Sequence, residues 1–453
     1  MTTHSAEWRL AKHVVSTRYE DLTEHTINCA KTFITDTLSV GIAGTAVPQA
    51  QQLLEALKSI DPGGPVAIWG ANLGLSAPNA IMANAFNVHC QEYDCVHEGA
   101  VVHAMATLLP VLIAQAQSRE GISGKELITA VVVGIDVACT LGLAANQAMQ
   151  FFRPATAGGF GAVAGLAKLR GLALDQVIAA WGFQLAQASG TMQGHREGRP
   201  VLPLQVSFNA RAAWQSCELA QTELQSLDNP ISGECGYLAM FERDFTLEPL
   251  LDELGRVWRI DEFSHKPYPS GRATHAGVEG LLNMLREHKL ATESIKSVVV
   301  TGPSLISRLV NRPPLLNPSP NYARLCMPYV LAKIMQHGHL EPKHYFDDEL
   351  ADPQTFELAQ KVTMRVDDNP DPNAFTPVTI EVVLSNGQVF QTKIDNMLAS
   401  PKRPLSQQQR EEKFMQCCGL IDDHQRTGNK NLHELYANLT ALDKVSDVHD
   451  LFK

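Results

Sequence analysis

The sequence predicts a mainly α protein. It has a large all-helical domain over residues 1–265, a smaller α/β lid domain over 266–400, and a C-terminal helical segment over 401–453 that packs back on the helical domain. Three observations carry this reading. Apolar residues recur at helical spacing through most of the first 260 positions. The breaker-rich junction Lys266-Pro267-Tyr268-Pro269-Ser270-Gly271 ends that texture and is followed by β-type runs. Beyond Pro401-Lys402-Arg403-Pro404, charged helical sequence returns and runs to Lys453.

Taken in order, Ile27, Ala30, Ile34 and Leu38 repeat at helical spacing and stop at Gly41. Thr107 to Ala116 reads as a buried helix. Ser123-Gly124-Lys125-Glu126 is a capping box opening an apolar helix from Leu127 to Leu143, interrupted only by Asp136. Gly158, Gly159, Gly161 and Gly165 punctuate an Ala-rich segment. With no preceding strand and no following Gly-Lys-Ser/Thr, they read as close helix packing rather than a phosphate loop. Asp175 is placed to cap the helix carrying Val177, Ile178, Ala180, Trp181 and Leu185. In the lid, a helix is expected over Thr274–Glu287, strands over Ile295–Thr301 and Val362–Val366, and a helix from Tyr322 to His337. Val378–Leu384 and Gln388–Ile394 form a hairpin about Asn386-Gly387.

Composition narrows the function classes. The 453 residues are 45% hydrophobic and 19% charged, a globular balance. A net charge of −11, with no basic tract, argues against nucleic acid or an anionic membrane as partner. An anionic substrate then requires a local cationic pocket. The nine cysteines are scattered and lack CxxC spacing, which fits reduced thiols and a cytoplasmic location. The first residues lack an apolar signal core, and no stretch gives ~18 uninterrupted apolar residues, so no membrane span is expected.

The stretch His89-Cys90-Gln91-Glu92-Tyr93-Asp94-Cys95-Val96-His97-Glu98, with His103 close behind, is where chemistry is expected. Three imidazoles and three carboxylates beside a buried helix are costly unless wet, paired or at work. His103 and His275 titrate near neutrality and suit proton transfer. Lys266 and Arg272 flank a Pro/Gly turn that can present them to a carboxylate. His97 reads as a structural, hydrogen-bonded histidine. A zinc site from His89, Asp94, His97 and His103 is disfavoured because two histidines one helical turn apart are missing. No metal is expected. Cys95 carries no sign of activation as a nucleophile.

Over its full length the chain resembles the MmgE/PrpD superfamily. The segments that carry the resemblance are Asp36-Thr37-Leu38 before Gly41, Glu92-Tyr93-Asp94 through His103, and Gly158-Gly159-Phe160-Gly161-Ala162. It continues in Phe208-Asn209-Ala210-Arg211-Ala212-Ala213, Lys266-Pro267-Tyr268-Pro269-Ser270 with His275, and Ala323-Arg324-Leu325-Cys326-Met327-Pro328-Tyr329. The resemblance implies a helical domain and a lid with the active site between them, in a homodimer. It also implies proton transfer next to a carboxylate of a small polycarboxylate. His103 stands at the family's active-site histidine, Lys266 at its lysine, His275 at a second histidine and Tyr329 at a lid tyrosine. Glu92 takes the place of an active-site aspartate and Asp94 matches the carboxylate two residues on, while Cys95 replaces a third.

Three positions depart from the family pattern. Arg153 replaces a histidine, Leu202 a lysine, and Asn209 a small alanine. Arg153 and the basic group His195, Arg196 and Arg199 are therefore expected to supply the missing substrate-binding charge, together with Ser270 and Arg272. The resulting expectation is a cofactor-free lyase, a dehydratase or decarboxylase, for a di- or tricarboxylate of the 2-methylcitrate or cis-aconitate type. Alternatives are an isomerase or epimerase of a polycarboxylate on the same scaffold, or a catalytically silent binding paralogue.

Overall fold

The computed structural model describes residues 5–421, 432–449 and 451–452. The helical part comprises α1 (Ala6–Ser16), α2 (Glu24–Gly44), α3 (Pro48–Lys58), α4 (Ala77–His89), α5 (Ala104–Ser118) and α6 (Gly124–Leu143). It continues with α7 (Ala157–Arg170), α8 (Leu174–Leu185), α9 (Gln193–Glu197), α10 (Val201–Leu219) and α11 (Glu248–Glu253). Two short ribbons interrupt it: β1 (Val66–Ala67) pairs with β2 (Gly74–Leu75), and β3 (Val96–His97) pairs with β4 (Phe263–Ser264), both antiparallel. The lid contains α12 (His275–Glu287), β5 (Ile295–Gly302), α13 (Ser304–Val310), α14 (Pro320–Arg324), α15 (Met327–His337), α16 (Asp347–Leu350) and α17 (Pro353–Ala359). β6 (Val362–Val366), β7 (Val378–Leu384) and β8 (Val389–Ile394) follow, and α18 (Gln407–Gly419) and α19 (Leu432–Thr440) end the chain.

The centre of the helical part is set by small residues. A Cβ on Gly134 of α6 would sit 2.8 Å from the Gly161 carbonyl of α7, so these two helices pack backbone to backbone. The glycine cluster is therefore a helix crossing, as its setting implied. α6 starts with the expected capping box: Ser123 N–H donates to Glu126 Oε2 at 2.8 Å, and Glu126 N–H to Ser123 Oγ at 3.3 Å. Among the described residues α6 alone is long and apolar enough to cross a membrane, yet 89% of its most apolar window is buried inside the protein. Its one buried charge, Asp136, is satisfied there by His13 Nε2 and the Arg259 N–H, each at 2.9 Å.

Three local expectations are corrected. α2 runs past Gly41 to Gly44, where the chain lies against the Asn87 backbone of α4. α8 is opened by Ala173, whose N–H donates to Gln176 Oε1 at 2.9 Å, while Asp175 lies in the first turn. The helix expected over Tyr322–His337 is two helices broken at Leu325-Cys326, because Pro328 lacks an N–H and fits only the first turn of a new helix. That break leaves Arg324 at the end of α14, its carbonyl accepting the Gly271 N–H at 3.0 Å.

The lid sheet has strand order β6-β5-β7-β8, with β5 and β6 parallel and the other pairs antiparallel. Gly387, at φ +87°, makes the hairpin turn between β7 and β8. α12 covers one face of the sheet, where Gly280 lets Ile380 of β7 approach closely. Separate apolar cores fill the two parts. One draws on residues from Ala6 to Phe263 plus the C-terminal helices; the other draws mainly on residues from Ala273 to Met397. α18 lies against α2, with Lys413 Nζ 2.7 Å from Asp36 Oδ1, and α19 adds Tyr436 against Phe414. Within the C-terminal stretch read as helical, residues 422–431 lie outside the described residues.

Candidate active site

The His-rich stretch becomes a site through two backbone turns. α4 ends at His89, and the chain then reverses through Glu92 at φ +52° before entering β3. A second reversal, with Val101 at φ +50°, brings the chain to His103, the residue that opens α5. Left-handed geometry is costly for a β-branched residue such as valine, and strain of this kind clusters at functional sites. β4 pairs with β3, so Lys266, two residues beyond β4, is delivered to the same place.

The result is a buried ionised cluster. Asp94 Oδ2 lies 3.0 Å from Nδ1 of both His89 and His103. Lys266 Nζ donates to Glu92 Oε2 at 3.0 Å and lies 3.8 Å from Asp94 Oδ1. Burial alone would raise both carboxyls, but Lys266, His89 and His103 outweigh it, holding Glu92 at about 2 and Asp94 well below the ordinary carboxylate range. Asp94 is therefore an acceptor, and each histidine donates to it through Nδ1–H. His103 is lowered below 6.5, chiefly by burial, although Asp94 opposes this. Its neutral ring presents an unprotonated Nε2. His89 goes the other way: burial lowers it, but Asp94 and Glu92 together raise it.

His103 and Glu92 line a cavity of about 50 Å³ between the two parts, together with Phe152 and His195 from the helical side and Arg272 and Leu325 from the lid. His195 is held at about 4 by burial and by Arg312, so its ring is neutral. A roomier cavity, about 430 Å³, includes His265 and Asp36 in its lining. The smaller one is the better active-site candidate because it adjoins the ionised cluster.

The remaining expected site residues are placed unevenly. His275 is buried and held well below 6.5, chiefly by burial and then by Arg272; its Nε2 faces the Ser270 carbonyl at 3.2 Å and its Nδ1 lies 3.3 Å from Arg272 Nη1. Both nitrogens are engaged by protein. Arg272 reaches the cavity, with Nε on Glu98 at 2.8 Å and Nη2 without a partner. Ser270 spends its hydroxyl on Thr274 at 2.8 Å. Tyr329 donates its hydroxyl to the His344 carbonyl at 2.6 Å, inside the lid core. His97 is structural, bonded to Glu262 at 2.7 Å and to the Ala100 N–H at 3.0 Å.

The expected replacements for the missing lysine need correction. Arg153 is fully buried and spoken for: Nε and Nη2 hold Glu242 at 3.0 and 3.1 Å, and Nη1 holds the Ala100 carbonyl at 3.0 Å. It ties the helical core together and leaves no N–H directed to an anion. Arg196 on α9 and Arg199 just beyond it are exposed, whereas His195 on the same short helix is buried. Leu202 is 1% exposed within the apolar core. Asn209 accepts from Gln184 Nε2 at 2.6 Å, which joins α8 to α10.

What the sequence reading passed over are His89 as the second partner of Asp94, and the lid residues Arg312, Arg324 and Tyr345. The signal for Arg324 was present: an arginine inside the apolar run Tyr322-Ala323-Arg324-Leu325-Cys326-Met327. His89, Asp94 and His103 bring ligating atoms within 4.8 Å of one another, and His97 is outside that group. A divalent ion there would have to share Asp94 with the Lys266 ammonium, and both imidazoles already address one carboxylate oxygen as hydrogen-bond donors. The thiols flanking Glu92 and Asp94 stay protonated, since burial pushes Cys90 up to about 12 and Cys95 well above 9.

The MmgE/PrpD N-terminal domain model matches residues 8–250, and the MmgE/PrpD C-terminal domain model matches residues 268–436. The chain belongs to the MmgE/PrpD family. Among its relatives, the human cis-aconitate decarboxylase is 26% identical over 411 residues, covering 87% of this chain and 83% of that protein. The cis-aconitate decarboxylase of Aspergillus terreus is 24% identical over 459 residues, covering 96% of this chain and 92% of that protein. The C-terminal match runs beyond the lid into α18 and α19, and Lys266 lies between the two matched ranges.

Proposed function

We propose that this MmgE/PrpD protein is a lyase for a small di- or tricarboxylate of the cis-aconitate or 2-methylcitrate type. Its own side chains would carry the proton and hold the charge. The observation that carries the reading is the Asp94–His103 pair at 3.0 Å, which leaves the neutral Nε2 of His103 as a base beside a cavity lined by Arg272. Taking a proton from the carbon next to a carboxylate generates negative charge on that carboxylate, and returning one discharges it. Lys266, buried and 3.0 Å from the cavity-lining Glu92, is a fixed cation suited to stabilise that charge. Arg272, with one N–H direction unused, is suited to orient a substrate carboxylate. The cavity of about 50 Å³ holds a few waters rather than a tricarboxylate, so the lid must draw back to admit substrate.

The test is incubation with cis-aconitate, 2-methylcitrate and related acids in deuterium oxide, followed by NMR. Loss of carbon dioxide or water, abolished by His103→Ala, is the expected result. Deuterium exchange into recovered acid with neither loss would replace the lyase reading by an isomerase. No reaction with any acid, despite binding, would replace it by a binding protein.

A further inference from the structure

Among the described residues, the buried arginines are compensated, with two exceptions. Arg153 pairs with Glu242, Arg259 with Glu262, and Arg272 with Glu98. Arg324 is 1% exposed, yet no carboxylate among the described residues pairs with it, and its Nε and Nη1 have no hydrogen-bond partner. Its guanidinium lies over the Tyr345 ring, 4.6 Å from the centroid, and the buried Tyr345 hydroxyl is also without a partner. Arg312, the second exception, gives Nη2 to the His195 carbonyl and leaves Nη1 unused. A guanidinium cannot shed its proton to relieve the cost of burial. Such a group, unpaired in the interior, needs an anion.

The position of Arg324 says where that anion sits. Cys90 and Glu92, at the turn after α4, are among the groups whose charge acts on its guanidinium. Glu92 is itself held by Lys266 and is not free to serve. The Arg324 carbonyl accepts the Gly271 N–H, fixing it to the turn that carries Arg272, and the next residue, Leu325, lines the same cavity as His103. Of the lid arginines with N–H groups unused, Arg272 lines that cavity directly, Arg312 holds His195, which lines it, and Arg324 stands behind its lining residues Gly271 and Leu325.

We propose that Arg324 and the Tyr345 hydroxyl form a receptor for a substrate carboxylate remote from the reacting carbon, with Arg312 at its edge; this rests on the polycarboxylate reading above. A planar guanidinium offers two parallel N–H groups to a carboxylate, and the phenol adds a third donor. The receptor replaces, from the lid, the cation that Leu202 does not supply. Because it is on the lid, filling it draws the lid onto the helical part, so remote binding helps to close the site around His103.

Calorimetry with tricarballylate, an unreactive tricarboxylate, and glutarate, its dicarboxylate counterpart, tests the assignment in the full-length wild type, Arg324→Met and Tyr345→Phe. Wild type is expected to favour tricarballylate about 10-fold or more, the worth of one charge-assisted hydrogen-bonded carboxylate. Arg324→Met should bring the ratio close to one, Tyr345→Phe should reduce it partly, and Arg324→Lys should restore part of it. The ligand-free Arg324→Met protein should melt at or above wild type, since an uncompensated buried charge has been removed. Unchanged discrimination in Arg324→Met and Tyr345→Phe, or a clearly lower ligand-free melting temperature in Arg324→Met, overturns the receptor. Failure of wild type to bind either acid instead overturns the polycarboxylate reading on which it stands.

Discussion

Lys266 and Glu92 meet at 3.0 Å, each buried, one from the chain leaving β4 and the other from the turn after α4. The pair joins the start of the lid segment to the helical part and sets the charge beside His103. Removing one member strands the other in the interior, so Lys266→Met and Glu92→Gln should each lower stability by about 3–5 kcal/mol. The double variant should lose less than the sum of the two. Chemical denaturation of the three proteins checks this, and strict additivity would mean the pair is not coupled.

The same pair sets an acid limit. Glu92 is held at about 2, below its usual 4.5, because Lys266 and the histidines outweigh the burial that opposes them. A depressed carboxyl contributes stability that is complete above pH ~4.5 and is lost as pH falls through ~2. Urea midpoints of Glu92→Gln measured between those values should be flatter with pH than those of wild type. Parallel curves would remove Glu92 from the acid transition.

His103→Ala should reduce kcat by about 10²–10⁴-fold with the fold intact. In wild type, kcat/KM should rise with pH through an inflection below 6.5 and stay level above it, since burial lowers His103 and its neutral form is the base. An inflection above 7, or wild-type activity in a folded His103→Ala protein, would assign the proton transfer elsewhere.

Arg196→Ala and Arg199→Ala should leave KM within about 2-fold, as expected for exposed side chains away from a buried contact. Arg153→Met should act on stability instead, costing about 3–5 kcal/mol by stranding Glu242. Steady-state kinetics and thermal melting of the three variants separate the two effects. A KM increase of more than about 10-fold in Arg199→Ala would return the loop to the substrate site.

Gly134→Ala places a methyl 2.8 Å from the Gly161 carbonyl, forcing α6 and α7 apart. The expected loss is about 1–3 kcal/mol in stability, read as a lower melting temperature. An unchanged melting temperature would show that the crossing tolerates a side chain.

The sequence by itself determined the helical texture, the breaker-rich entrance to the lid, the lid hairpin and the location of the ionised cluster. Periodicity, capping and turn residues act over a few positions, and so does the clustering of His89, Glu92, Asp94 and His103 within fifteen residues. It also marked His103 and Lys266, whose residue types have few other uses in an apolar setting. Only tertiary structure decided which charges are free. Arg153 and Arg324 are both arginines in apolar sequence, yet one is consumed by Glu242, eighty-nine residues away, and the other has no carboxylate partner among the described residues. Arg196 and Arg199 share a basic stretch with His195, but the folded chain leaves both in solvent and places the histidine inward. Charge is local in sequence, whereas compensation depends on residues brought together from distant segments, and that is a property of the packed chain.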